Sequence, residues 1–135
     1  MMDKKFAENF FDEICMDLYD PKTGSINKLE KYYSTNLSVE IGAFHLDFSR
    51  FRNRMMNFHE TYEGCHFNVK NMIVFGDSFI VDFSCALTPR NHDKSNLVKS
   101  MVVFFTLKHD KVVYEKVLSE EIFYFEPEKE AQAII

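Results

Sequence analysis

Tryptophan is absent from this 135-residue chain, and glycine, proline and cysteine are scarce at four, three and three. Four scattered glycines cannot build a loop that cradles a phosphate, and no Gly-x-Ser-x-Gly elbow is present to expose a serine nucleophile. The cysteines, Cys15, Cys65 and Cys85, are odd in number and include no Cys-x-x-Cys pair, so neither a disulfide framework nor a zinc site is indicated. His59-Glu60 lacks the second histidine of the helical zinc motif, and no metal or cofactor is expected. No basic stripe exists. Sixteen Lys and Arg are scattered among 21 Asp and Glu for a formal charge of −5, which argues against a nucleic-acid partner. No apolar run could span a membrane, and the first residues lack the basic start and apolar core of a signal peptide. A cytoplasmic location is the expectation.

What the chain does have is rings. Fifteen Phe and six Tyr make an aromatic core, and rings leave gaps that suit a flat ligand, although filling the core is their commoner role. Residues 3–19 place Phe6, Ala7, Phe10, Phe11, Ile14, Cys15 and Leu18 at helical spacing, with charged residues mostly on the other side. Asp20-Pro21 ends that helix, because the residue before proline is pushed out of the helical region. Ser25 caps an expected second helix through Tyr33. Leu37–Ile41 alternates as a short strand, and a third helix is expected from Asp47 or Ser49 to about Glu63. Phe44, Phe48, Phe51, Met55, Phe58 and Tyr62 fall in its apolar arc, with Arg52 and His59 at the seam.

Four strands come next, at Phe67–Phe75, Phe79–Thr88, Leu97–Lys108 and Val112–Phe125, joined mostly by short hairpins that make them antiparallel neighbours. Strands this long curl. The expected fold is α+β, a curved antiparallel sheet covered by N-terminal helices. One domain is expected over residues 1–126, with a mobile C-terminal tail after it, 127–135.

Three local passages carry a family resemblance: Leu29–Leu37 with its paired tyrosines, the Gly76-Asp77 hairpin inside Asn71–Phe83, and the hairpin Phe104–Val113. With the element order, they resemble the SnoaL-like and ketosteroid-isomerase-like branch of the nuclear transport factor 2-like superfamily. Asp110 stands where that branch usually has glycine, a mild departure because Asp tolerates the left-handed turn conformation. The resemblance implies a cone-shaped sheet whose concave side forms a pocket, and commonly a homodimer. It implies no particular reaction, because the superfamily hosts several enzymatic activities as well as binding without chemistry.

Steroid-isomerase chemistry needs a carboxylate base and a tyrosine–aspartic acid oxyanion pair. At the corresponding positions this chain has Ile41-Gly42-Ala43, Phe10-Phe11 and the apolar Val102–Thr106, so that set is missing. The cyclase-like branch implies an acid late in the last strand, met by Glu120 or, one residue on, Glu121; strand parity decides which points inward. Asp82 and Ser84 face outward if the apolar positions Phe79, Val81, Phe83 and Cys85 lie under the helices, and become pocket groups in the opposite register. The expected site therefore has Glu120 and His59 as proton-transfer groups, Tyr33 and Tyr62 orienting the ligand, Arg52 countering its charge, and Ser100 as a further polar contact. The expected ligand is a small apolar or aromatic molecule. The rival expectation is a non-catalytic interaction or dimerisation module. An enclosed cavity with two or more inward polar groups favours the first, and a packed interior with an exposed apolar sheet face the second.

Overall fold

A computed structural model describes residues 2–125; the expected tail at 127–135 lies outside them. Helix α1 spans Lys4–Ile14 and continues as a π-helical turn over Cys15–Tyr19. Asp3 caps it, its Oδ1 accepting from the Phe6 amide at 2.8 Å. Ala7, Phe10, Phe11, Ile14, Cys15 and Leu18 are buried, as their spacing requires. Where the helix ends, the Asp20 amide reaches the Cys15 carbonyl at 2.8 Å, and the chain folds back so closely that Gly24 has no room for a side chain. A Cβ there would lie 2.6 Å from the Leu18 carbonyl oxygen. Only glycine fits.

The second helix is shorter than expected. It consists of a 3₁₀ turn, Ile26–Lys28, and α2, Leu29–Tyr32; Tyr33 is already extended and opens strand β1, Tyr33–Ile41. A three-residue strand β2, Phe44–Leu46, pairs with β1 before Asp47 caps α3, Phe48–Thr61. Phe44 therefore leaves the helical arc assigned to it and stands 72% exposed in β2, because the cap at Asp47 starts the helix after it.

Strands β3 (Tyr62–Phe75), β4 (Ser78–Pro89), β5 (Asn96–Lys108) and β6 (Lys111–Phe125) form an antiparallel meander, with β3 starting earlier than its apolar run. The six-stranded sheet has the order β2-β1-β6-β5-β4-β3 and does not close. It is mixed rather than wholly antiparallel, because β1 lies parallel to β6. Hairpins enforce antiparallel pairing, whereas the long connection from β1 to β6 permits either direction.

Register assigns the two faces. Phe79, Val81, Phe83 and Cys85 of β4 align with Phe105, Val103, Met101 and Lys99 of β5, and this face is buried under α1 and α3. Phe11 anchors the contact, its ring 5.0 Å from Phe83 and 6.1 Å from Phe105. Asp82 and Ser84 alternate with these residues and face outward, paired with Asn71 and Val102, and with Asn68 and Ser100.

Strand β6 breaks its own alternation twice. Leu107 aligns with Val112 but Thr106 with Tyr114, leaving Val113 as an extra residue; Val103 aligns with Val117 but Val102 with Ser119, leaving Leu118 as another. Each bulge reverses which face the next residues of the strand occupy. The first turns Glu115 inward, opposite Phe105. The second turns Glu120 inward, opposite Met101, and sends Glu121 outward opposite Ser100.

Candidate functional site

Between the helices and the inner sheet face lies a cavity of about 120 Å³. Its walls are mostly phenylalanine and methionine: Phe11, Phe58, Phe67, Phe83, Met55 and Met101. Five polar or charged side chains reach it, Tyr19 from the end of the first helix, Arg54 from α3, Lys99 from β5, and Glu115 and Glu120 from the two bulged segments of β6; Cys85 of β4 adds a thiol.

Glu115 lies deepest. It is a buried charged residue at 5% exposure, and its Oε1 accepts from the Tyr33 hydroxyl at 2.8 Å. The Tyr33 hydroxyl is 3.0 Å from that of Tyr19. Tyr33 has one hydrogen and gives it to Glu115, so Tyr19 donates to Tyr33 and the chain of hydroxyls is oriented toward the carboxylate. Burial lifts the Glu115 carboxyl to about 7, only partly offset by the Tyr33 hydrogen bond and the Arg54 charge. Burial also pushes both tyrosines well above the ordinary phenol range, so they serve as hydrogen-bonding hydroxyls. A carboxyl balanced near neutrality can both give and take a proton there, the property required of a general acid or base.

The rim differs. Glu120 and Arg54 are exposed and Lys99 half-exposed. The inner face carries Val103 between the residues opposite Glu115 and Glu120, so the two acids stand four residues of β5 apart, roughly 13 Å along the strand. They do not share a proton as a carboxylate pair would. Among the described residues, no cluster of three His, Cys, Asp or Glu side chains is placed to hold a metal.

The residues expected from sequence are dispersed. Glu120 lines the cavity. Tyr33 stands directly behind Glu115 as its hydrogen-bond donor. His59 points elsewhere: its Nε2 is bonded to the Leu18 carbonyl, and its own carbonyl accepts from Arg90 Nε at 2.8 Å, so it fastens α3 to the end of the first helix. Tyr62 packs on Phe58 with ring centres 5.1 Å apart and lies outside the cavity, beside Tyr124. Arg52 is exposed, reaching Met56 Sδ at 3.2 Å, while Arg54, two residues on, lines the cavity. Ser100 is on the outer sheet face with Ser84 and Glu121. Glu115, Tyr19, Arg54 and Lys99 were not anticipated. Glu115 did carry one signal, a lone acid within Val112–Leu118, but simple alternation from the inward Val112 puts it outside.

No family model matches the sequence, and no curated protein matches it. Solved structures do. The epoxide hydrolase/cyclase-like enzyme SalBIII, of pyran ring formation in the polyether salinomycin, superposes with a TM-score of 0.70 at 14% identity, over 90% of this chain and 95% of that one. An NTF2-like protein of unknown function from Exiguobacterium sp. 255-15 superposes at 0.65 and 12% identity, over 80% and 95% of the two chains. A de novo designed protein with a curved β-sheet gives 0.61 at 16% identity, over 98% and 97%. One of these is an enzyme and one a design, so the likeness carries the fold and leaves the chemistry to the residues. The chain has the nuclear transport factor 2-like fold.

Proposed function

We propose that the cavity binds a small, largely apolar or aromatic molecule and that Glu115 exchanges a proton with it, without a metal or cofactor. The observation that carries this reading is Glu115 itself. A carboxyl deep in an aromatic cavity is costly to maintain, and here it is bonded to Tyr33, itself bonded to Tyr19, rather than neutralised by a buried cation. Glu115 is the proton carrier, Tyr33 and Tyr19 fix its orientation, and the surrounding phenylalanines exclude water from the ligand. The reaction class that fits is isomerisation, cyclisation or dehydration, each of which needs one well-placed acid–base group. The similarity to an epoxide hydrolase/cyclase-like enzyme is consistent with that class.

A carbon-detected NMR titration of the Glu115 carboxyl, with and without benzyl alcohol as a cavity probe, tests the reading. Titration near neutrality, displaced when the probe binds, is the expected result. An ordinary carboxylate titration, or one indifferent to the probe, would exclude Glu115 as the proton carrier.

A second reading concerns the outer sheet face, where Ile73 and Phe75 are 55% and 46% exposed beside Ile80 and Phe104. Apolar surface gathered on one face marks an interaction site. We infer that a second copy of the chain covers it, giving a homodimer in the cytoplasm. Native mass spectrometry tests this: a dimer that Phe75→Lys dissociates supports it, and a monomer at all concentrations rejects it.

A further inference from the structure

We propose that the ligand of this cavity is a small acid, with an apolar body about the size of one ring inside the cavity and one carboxylate or similarly acidic group held at the rim by Arg54 and Lys99. The inference rests on reading the cavity as a ligand site and adds the charge of what enters it. Acidic residues outnumber basic ones in this chain, 21 to 16, yet two of the three charged side chains at the rim are cationic. They come from opposite walls, Arg54 from α3 above the cavity and Lys99 from β5 below it. Neither joins an ion pair among the described residues, whose ion pairs are Lys28–Asp17, His92–Glu63 and Lys116–Glu40. Glu120 is near enough in register to Lys99, one inward position along the sheet, to soften the positive field without cancelling it.

Size points the same way. About 120 Å³ is close to the space that holds one benzene ring, on the order of 150 Å³, so a substituent on such a ring must emerge at the rim rather than lie buried. The group that emerges meets a planar guanidinium, which can grip a carboxylate with two parallel hydrogen bonds, and an ammonium on the facing wall. The inner carboxyl, Glu115, then lies against the ring or its neighbouring carbon, separated from the ligand's own charge by the length of the ligand. An acid entering the other way round would set its carboxylate against Glu115 and lose Lys99, keeping only the Arg54 charge that Glu115 already shares.

Isothermal titration of the full chain with benzoate, benzyl alcohol and benzylamine at neutral pH tests this. Benzoate is expected to bind about tenfold more tightly than either of the others, the worth of one charge-assisted fork. Arg54→Gln and Lys99→Gln should each reduce the benzoate to benzyl alcohol affinity ratio several-fold, and Glu120→Gln should raise it. These rim side chains are exposed or half-exposed, and a thermal melt verifies that each variant is folded. Benzyl alcohol or benzylamine binding as well as benzoate, or a ratio that none of the three substitutions moves, would overturn the preference for an acid while leaving the cavity as a ligand site. Failure of all three probes to bind would overturn the ligand site itself, and this inference with it.

Discussion

The two ends of the cavity hold one glutamate each on the same strand, and they differ in almost every physical respect. At the closed end, Glu115 is buried, bonded to Tyr33 and lifted by burial to about 7. At the open end, Glu120 shares an exposed rim with Arg54 and Lys99. The same side chain is thus enclosed by aromatic rings in one place and open to water in the other. Solvent access makes the difference, since water stabilises a carboxylate far better than a phenylalanine wall does. The contrast teaches that position along β6, more than residue type, assigns the chemistry.

Packing should separate the ends most sharply. Phe11 is 2% exposed against Phe83 and Phe105, whereas Tyr124, on the same face beyond the helices, is 68% exposed. Phe11→Ala is expected to cost about 3–5 kcal/mol in a urea melt and Tyr124→Ala less than about 0.5 kcal/mol. Equal losses would mean that the sheet beyond the cavity is packed as tightly as the sheet beneath the helices.

The charge contrast is next. The Glu115 carboxyl is raised from 4.5 to about 7 on folding, so the folded protein binds its proton more tightly than the unfolded chain. Its contribution to stability is fully present below about pH 4.5 and is lost as pH rises through 7, at about 1.4 kcal/mol per pH unit, or on the order of 3 kcal/mol in all. Glu115→Gln removes that loss. The variant should be more stable than the parent at pH 8.5 by about 2–3 kcal/mol, with the advantage shrinking toward pH 5, while Glu120→Gln stays within about 0.5 kcal/mol at both. Thermal melts at the two pH values measure this directly.

Tyr33→Phe gives a smaller effect. Loss of the hydroxyl removes the hydrogen bond that favours the Glu115 anion, so the carboxyl should titrate higher still and stability at pH 8 should fall by about 1–2 kcal/mol. An unmoved titration would detach Tyr33 from the site. The mildest test lies at the β5–β6 turn, where His109 and Asp110 adopt φ of 54° and 61°. Asp110→Gly should stabilise by about 0.5–1 kcal/mol in a urea melt, because glycine enters that conformation without strain.

Much of this fold was legible in the chain. The apolar spacing from Phe6 to Leu18, the Asp47 cap and the hairpins at Gly76 and His109-Asp110 all depend on neighbours a few residues away, and such signals survive in a single sequence. The parallel pairing of β1 with β6 was not legible, because no local pattern records which distant edge a strand joins. His59 and Arg52 were reasonable candidates from helical position, yet a seam position is shared by groups that face a cavity and groups that tie helices together. Which one results depends on the carbonyl of Leu18, 41 residues away.

The sequence alone determined an α+β chain with an aromatic interior and helices ahead of a long meander, since residue periodicity and turn chemistry act at short range. Only the tertiary structure decided which acid is buried. Two extra residues, Val113 and Leu118, exist as bulges solely by comparison with the facing strand β5, and each reverses the parity of the strand beyond it. Glu115 became the proton-exchanging candidate, and Glu120 rather than Glu121 reached the rim, through pairing that no stretch of β6 read by itself could reveal.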